Sequence, residues 1–438
     1  MLIKLALFSL LAILARPSQQ QQQQHFPVSP EHTLNALYEQ LNSKAQVFAD
    51  VQPKKFSNLA EAIAASEKLF EAVKQQQTLP SLTVGLSVRN KTVFSKAWGL
   101  ADLENEIPAQ VNTTYRIASI SKSFASLVLG TFVDQGLAKY SDPLSKYLKP
   151  SDYPAKSFAG HHVEITLGQL LSHTAGTPVT SIPDIATLIY PEVQNITSSI
   201  RPLNAAPLTF APGTNFNYSN YGYQLIGAVI EQVAKKPYPQ LLAEFFARHG
   251  MRGSAIDTGR ALVHHIARYY RPESAEKKNH NVPTALIDGL LMANGWWAAG
   301  GVLSTVPDLL RYGNLLLDVT KGRPGSVITN ATLNQIWTPR TDDLHLKTMP
   351  PGMGYGYGWV VVDLDKLPSN STAAAALKVY KHKHFRWHNG GLMGTSTYLA
   401  IYPEEEAVVV ALTNRGEAQP ALMQATMQTM ENVYDLVK

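Results

Sequence analysis

Apolar side chains recur along the chain at spacings that predict both helices and strands. Between residues 58 and 75 the spacing is roughly helical, and the β-rich runs Leu82–Val88 and Thr92–Trp98 that follow predict a hairpin. From Ser119 to Gln135 one helical face is apolar again, with Gly136 where a C-terminal cap belongs. Ser119 is therefore expected at or near the start of a helix.

The middle of the chain, from about residue 150 to 285, is rich in proline and loops and predicts short helical pieces. Residues 300–317 then predict a turn and an amphipathic helix. Sheet signals return at Tyr357–Val362, Thr395–Tyr402 and Ala407–Thr413, and a final helix is predicted over 421–437. Sheet pieces over about 31–150 and 290–438, around a mainly helical middle, predict an α+β fold with an inserted subdomain.

The N-terminus has the order of a secretory leader. Lys4 precedes an apolar run and the small residue Ala15, so residues 1–15 are predicted to be a signal peptide, cleaved after Ala15. The run is about half the ~20 residues that a membrane span needs. Residues 16–30, with six consecutive glutamines, are a predicted linker before the domain at 31–438. We therefore expect a secreted protein that is not stably inserted in a membrane.

Composition removes several other functional classes. The chain has no cysteine, which excludes disulfides and thiolate metal sites. The formal charge of +5 comes from scattered basic residues without a long basic run or aromatic platform, so no nucleic-acid partner is expected. The histidines lack the spacing of a zinc-binding helix, and neither a metal nor a cofactor is predicted. Sequons, which are glycan acceptors if the protein is secreted by a eukaryote, begin at Asn90, Asn112, Asn195, Asn217, Asn330 and Asn370. Asn217 adjoins Tyr218 and is expected to stay unmodified.

The spacing S-x-x-K, which places an amine one helical turn after a serine nucleophile, occurs twice. Ser274 and Lys277 lie in a polar stretch and are expected at the surface. Ser119 and Lys122 open an apolar helix, where burial would lower the lysine pKa and the helix N-terminus would favour an oxyanion. Ser119 is the candidate nucleophile.

Two more motifs follow in the order that a serine-lysine hydrolase requires. Tyr218 and Asn220 lie in a predicted loop, where a phenol beside a cationic lysine would ionise more easily and serve as general base and acid. The asparagine amide could hold a substrate. Tyr312-Gly313-Asn314 repeats the pattern inside an amphipathic segment and is expected to be structural.

The third motif is His388-Asn389-Gly390-Gly391, where glycines in a strand would let a substrate backbone approach. Strand alternation places Arg386 on the same side as His388. Arg386 is therefore a candidate ligand for a substrate carboxylate, the alternative being a structural ion pair under a neighbouring loop.

Taken together, the chain from about Leu82 to its end resembles the serine β-lactamase and penicillin-binding superfamily. The resemblance is to the branch with class C β-lactamases, D-alanyl-D-alanine carboxypeptidases, family VIII esterases and mitochondrial β-lactamase-like proteins. Besides the three motifs it is carried by residues 115–119, 141–144, 165–176, 300–305 and 356–359.

This resemblance implies an antiparallel sheet flanked by helices, with the site between the sheet and the helical subdomain. It implies Ser119, Lys122, Tyr218 and His388 as catalytic residues, and an oxyanion hole from the backbone N–H groups of Ser119 and Gly391. His388 stands where class C β-lactamases have lysine, which favours esters, amides or small peptides over penicillins as substrates.

The alternatives left open are an acyltransferase and a scaffold that has lost catalysis. A Ser-His-Asp hydrolase is disfavoured because the chain has no G-x-S-x-G motif. In the resembled family the run that contains His173 is structural, so His173 is expected to organise its loop without transferring protons. The sequence leaves the oligomeric state undetermined.

Overall fold

The computed structural model describes residues 55–178, 195–201, 204–259, 262–274, 276–284, 295–341, 352–366, 380–392 and 394–437. The predicted signal peptide, the predicted linker and the sequon at Asn370 lie outside these residues, and the domain boundaries stay predictions. No described helix is both long enough and apolar enough to cross a membrane.

An eight-stranded antiparallel sheet forms the centre of the protein, with strands in the order β11-β12-β13-β14-β15-β1-β2-β3. All residues of β1 and β15 are buried, as expected for central strands that are covered on both faces. The strands of this sheet are β1 Ser81–Val88, β2 Lys91–Asp102, β3 Ile107–Pro108, β11 Met353–Tyr355, β12 Val360–Asp363, β13 His384–Leu392, β14 Thr395–Tyr402 and β15 Ala407–Thr413.

Helices cover both faces of the sheet, as the resemblance implies. The first and last helices pack on one face, against side chains such as Val84, Trp387 and Val409. The others lie on the opposite face, against Leu399 and Val408 among others. The described helices are α1 Leu59–Gln76, α2 Ser121–Asp134, α3 Leu167–Leu171, α4 Ile196–Ile200, α5 Asn220–Ala234, α6 Tyr238–Arg248, α7 Trp297–Gly300, α8 Val306–Thr320, α9 Asn330–Trp337 and α10 Gln419–Val433.

Smaller sheets complete the fold and position the site. A three-stranded antiparallel sheet in the order β4-β10-β7 joins the start of α2 to α8, and β5-β6 and β8-β9 are separate hairpins. Their strands are β4 Tyr115–Arg116, β5 Lys156–Phe158, β6 His161–Val163, β7 Ala255–Ile256, β8 Tyr270–Pro272, β9 Asn281–Pro283 and β10 Val302–Ser304.

Most predicted elements are present with small shifts in their ends. The first helix begins after Asn58, whose side chain caps it, and Gly136 follows α2 with the positive φ of a helix stop. Two helices in the predicted mainly helical middle are longer than the short pieces expected there, since α5 has 15 residues and α6 has 11. Helix α5 is buried nearly all round, so its sequence shows little of the polar alternation that marks a surface helix.

Candidate active site

Ser119 lies in a short turn that the surrounding strands hold in a strained conformation. The preceding residue, Ala118, has a φ of 45°, which is uncommon for a residue with a side chain. The Ile117 N–H donates to Val302 O at 3.0 Å, and the Thr397 hydroxyl donates to Ile117 O, also at 3.0 Å. Ser119 itself is only half-buried. The turn therefore presents an accessible hydroxyl from a fixed backbone immediately before α2.

Lys122, one turn later, is fully buried and directs its amine at the serine. Its Nζ lies 3.0 Å from Ser119 Oγ and 2.7 Å from each of Asn220 Oδ1 and Ala299 O. Burial lowers the pKa of Lys122 well below its usual value. A neutral amine has two N–H donors and one lone pair; the two carbonyl oxygens accept the donors. The lone pair of that neutral form would face the Ser119 hydroxyl, to which a charged ammonium would instead donate across the same 3.0 Å.

Tyr218 forms part of the wall around this amine. Its ring centroid lies 4.8 Å from Lys122 Nζ, and that of Tyr223 lies 5.5 Å away. Burial raises the pKa of Tyr218 well above its usual value, and the nearby Ser119 hydroxyl partly opposes this shift. The Tyr218 and Ser119 hydroxyls nevertheless do not reach hydrogen-bond geometry. The sequence reasoning made Tyr218 the base beside a cationic lysine. The burial of both groups favours the opposite protonation, a phenol beside a neutral amine.

His173 holds the loop that carries Tyr218. Its Nδ1 accepts a hydrogen bond from the Ser219 N–H at 3.0 Å, and its carbonyl oxygen accepts one from the Asn217 N–H at 2.9 Å. The ring centroids of His173 and Tyr218 are 4.2 Å apart. These contacts fit the expected loop-organising role. Asn220, expected in the loop, is instead the first residue of α5 and lies within reach of Lys122.

His388 is buried at the site with both ring nitrogens occupied. Nδ1 lies 2.6 Å from Asn389 O, which can only accept, so Nδ1 carries the proton. Nε2 lies 2.9 Å from Tyr355 Oη and therefore accepts from that hydroxyl. Burial, together with Lys122, lowers the pKa of His388 to about 3. In this arrangement His388 is a neutral, fixed group that reaches Tyr355 rather than Ser119.

Sequence reasoning missed Tyr355. It is completely buried and contacts three of the candidate side chains, with ring centroids 4.8 Å from His173, 6.0 Å from His388 and 6.3 Å from Tyr218. The only signal was its position directly before the Gly356-Tyr357-Gly358-Trp359 run. Nothing in that run indicates which tyrosine faces the site.

The two glycines of the third motif have different surroundings. A Cβ on Gly390 would lie 2.1 Å from Ile117 O, so the absence of a side chain makes room for the turn that carries Ser119. The sequence had indicated a substrate backbone in that place. Gly391 is half-buried and pairs with Ser396 of β14. Strand β13 pairs with β14 on one side along its length, but with β12 on the other side only as far as Trp387. From His388 onward, β12 therefore leaves that second side of β13 uncovered. The oxyanion hole of Ser119 and Gly391 stays a prediction.

Arg386 is not part of this cluster. It shares the strand face of His388, as alternation predicts, but lines a separate cavity with Trp337, whose ring centroid lies 5.7 Å from the guanidinium carbon. Neither Ser119 nor Lys122 lines that cavity. No ion-pair partner within 4.0 Å is found for Arg386 among the described residues, so the structural ion pair weighed as the alternative is also absent there.

The duplicate motifs lie where the sequence reasoning placed them. Lys277 is exposed and pairs with Glu273 at 2.8 Å, far from any buried amine site. Tyr312 is buried in α8 and donates to Ser123 Oγ at 3.1 Å, and Asn314 donates to Ser87 Oγ at 3.0 Å. Both motifs are structural.

Comparisons with known proteins identify relatives of this chain. A family model described as Beta-lactamase matches residues 66–429. The serine beta-lactamase-like protein LACTB, mitochondrial, of Homo sapiens is 25% identical over 79% of this chain and 73% of its own. A beta-lactamase of Escherichia coli is 26% identical over 81% of this chain and 89% of its own.

Two solved structures share the fold at low identity. The octameric penicillin-binding protein homologue from Pyrococcus abyssi superposes with a TM-score of 0.67 at 21% identity, covering 84% of this chain and 76% of its own. EstCE1, described as a hydrolase with promiscuous acyltransferase activity, gives a TM-score of 0.67 at 24% identity, covering 85% of this chain and 99% of its own.

Proposed function

Because the chain belongs to the β-lactamase family, we propose that it is a serine hydrolase that forms a covalent acyl-enzyme on Ser119. The proposed substrates are small esters, or small amides and peptides. The observation that carries the proposal is the buried Lys122 amine, 3.0 Å from Ser119 Oγ, with its two other contacts taken by carbonyl oxygens.

In the proposed mechanism Lys122 takes the Ser119 proton as Oγ attacks the substrate carbonyl carbon. The backbone N–H groups of Ser119 and Gly391 would stabilise the oxyanion that forms. Tyr218, held as a neutral phenol, would give its proton to the leaving group and recover one from the lysine ammonium. A water molecule then gives a proton to Lys122 and attacks the acyl carbon, the bond from that carbon to Ser119 Oγ breaks, and the lysine ammonium returns a proton to Oγ.

The charges around Ser119 support neutral substrates. Burial favours the neutral forms of both Lys122 and His388, and Arg386 lines a different cavity. A β-lactam antibiotic carries a carboxylate, and a carboxylate binds most tightly where a cation can hydrogen-bond to it. Weak or absent β-lactam hydrolysis is therefore part of the proposal.

An acyltransferase, in which an alcohol rather than water accepts the acyl group, is the main alternative within the same chemistry. EstCE1, which shares the fold, is described as both a hydrolase and a promiscuous acyltransferase. Because the acyl-enzyme is common to both reactions, an added alcohol would divide the product between acid and ester. Product analysis at increasing alcohol concentration distinguishes them.

A covalent probe tests the nucleophile directly. A fluorophosphonate should add once to the wild-type chain, with the mass increase located on the peptide that contains Ser119. Ser119→Ala should abolish labelling, while Ser274→Ala, in the exposed copy of the motif, should label like wild type. A folded wild-type protein that no serine-reactive probe modifies would instead be a scaffold that has lost catalysis.

We also propose that the protein is secreted and loses residues 1–15. Because the relative from Homo sapiens is named as mitochondrial, the test must distinguish secretion from import into mitochondria. A fusion of residues 1–30 to a reporter in eukaryotic cells should reach the medium, with its N-terminus at Arg16. Four of the sequons begin at exposed asparagines, Asn90, Asn112, Asn195 and Asn330, so the secreted chain should shift in mass on glycosidase treatment. Accumulation in mitochondria would contradict the proposal.

A further inference from the structure

A cavity of about 500 Å³ lies between α9 and strands β11, β12 and β13, at one edge of the sheet. We call it the edge cavity. Its apolar wall includes Trp337, Met353 and Val361, all of which are buried. Neither Ser119, Tyr218 nor His388 lines it, so it is distinct from the candidate active site.

Arg386 enters this cavity without a protein acceptor. Its guanidinium stacks over the Trp337 ring, and its buried Nε has no hydrogen-bond partner among the described residues. Two other half-buried or buried arginines are satisfied: Arg116 pairs with Asp257 at 2.8 Å, and Arg415 donates to backbone carbonyls including that of Thr78. A guanidinium has five donors, and leaving such a group desolvated without acceptors is costly.

The carboxylates near the cavity are already matched by cations. His384 lies between three of them. Burial lowers the pKa of His384, but the three carboxylates raise it by more, and the raised pKa favours the charged imidazolium. Three carboxylates thus face three cations, and Arg386 is a fourth positive group, which Glu404 and Asp363 attract without forming an ion-pair contact in the described structure. The contacts are His384–Glu404 at 2.8 Å, His384–Asp363 at 3.2 Å, His384–Asp365 at 3.3 Å, Lys366–Asp363 at 3.2 Å and Lys383–Asp365 at 2.6 Å.

We propose that the edge cavity binds a small organic monocarboxylate with an apolar body. The planar fork of Arg386 receives the carboxylate in a bidentate pair, and the apolar body packs against Trp337 and Val361. Asp363 and Glu404 line the same cavity, so a ligand with a second negative charge is disfavoured. The site does not depend on the chemistry proposed for Ser119.

Calorimetric titration of the Ser119→Ala full-length protein with 4-phenylbutyrate tests this site. We expect saturable binding of one molecule per chain, and no saturable binding of the neutral 4-phenylbutyramide. Inorganic phosphate should not displace the acid. Arg386→Gln should weaken the affinity by about tenfold or more, since it removes charge-assisted hydrogen bonds. Arg386→Lys keeps the charge without the fork and should give an intermediate affinity.

Arg340 supplies the matched control, because it stacks over Tyr357 at 5.0 Å but lines a different cavity. Arg340→Gln should bind the acid like the parent. An unchanged affinity in folded Arg386→Gln, or equal binding of acid and amide, would overturn the proposal. So would loss of binding in wild-type protein blocked at Ser119 by a fluorophosphonate. Failure of that reagent to label Ser119 would count against the proposed hydrolase. The carboxylate site would then still be tested by the calorimetric titration alone.

Discussion

The hydroxyl of Tyr355 donates a hydrogen bond to Nε2 of His388 across 2.9 Å. With Nδ1 donating to Asn389 O, the imidazole has no free nitrogen, and its lowered pKa keeps it neutral at neutral pH. His388 therefore contributes a fixed dipole and a packed wall beside Lys122. The hydrogen bond joins β11 to β13, next to the point where β12 ceases to cover β13.

The pH dependence of stability tests the neutral state of His388. Its pKa is lowered from 6.5 to about 3 in the folded protein, so between these values only the unfolded chain takes up the proton. The free energy of unfolding is unaffected above about pH 6.5 and should fall below it by up to about 1.4 kcal/mol per pH unit. Urea unfolding at pH 7 and pH 5 should show a smaller loss for His388→Asn than for wild type. Equal losses would mean that His388 is protonated in the folded state.

Lys122→Ala should lower kcat by about 10²–10⁴-fold, because it removes the general base. Lys277→Ala, in the exposed copy of the motif, is the matched control and should keep wild-type turnover. The measurement is ester hydrolysis under saturating substrate, with circular dichroism as a check on folding. A folded Lys122→Ala enzyme that retains more than about a tenth of the activity would contradict the assignment.

Tyr218→Phe should lower kcat while leaving the fold intact, since the change removes only a hydroxyl that has no hydrogen-bond partner in the described structure. Tyr223→Phe is the comparison: its ring also faces Lys122, but its hydroxyl donates to Leu171 O at 2.6 Å. The second variant should lose stability rather than turnover. Similar kcat values for Tyr218→Phe and wild type would remove Tyr218 from proton transfer.

Gly390→Ala should displace the nucleophile turn, because its Cβ would lie 2.1 Å from Ile117 O. We expect loss of fluorophosphonate labelling and a lower melting temperature. Gly300→Ala is the control near the same turn, where the nearest atoms to a Cβ are Ala118 backbone atoms at 3.9 Å. Rapid labelling of both variants would show that strand β13 does not determine the position of Ser119.

The best simple ester should have a higher kcat/KM than nitrocefin. The reason is the absence of a free cation beside Ser119 in the described part of the site, where His388 stands in place of lysine. Comparing steady-state kinetics on p-nitrophenyl esters and nitrocefin, with Ser119→Ala as blank, provides the measurement. An equal or higher value on nitrocefin would reverse the substrate assignment.

The sequence indicated the residues that act through local geometry. Ser119 and Lys122 are one helical turn apart, and Tyr218 and Asn220 lie at a helix start, so spacing alone brings each pair together. Strand alternation also placed Arg386 and His388 on one face correctly. These relationships depend on a few neighbouring residues, which is why a single chain reveals them.

The contacts that determine protonation and access could not be predicted in this way. Tyr355 reaches His388 from 33 residues away, and Trp337 reaches Arg386 across the sheet edge. The positive φ of Ala118 follows from hydrogen bonds to β10 and β14, and no local preference of alanine favours it. Such features require the register of distant strands, which short motifs do not specify.

The antiparallel pairing of β1 with β15 has a consequence for the order of events during synthesis. Val84 lies opposite Ala411, so β1 cannot pair with β15 until the chain has been synthesised as far as Ala411. Thr397, which holds Ile117 O, also comes from this late part of the chain. Until then the turn that carries Ser119 lacks the hydrogen bond from β14. The candidate site therefore acquires its full geometry only after β14 and β15 have been synthesised, when closing these long loops completes the sheet.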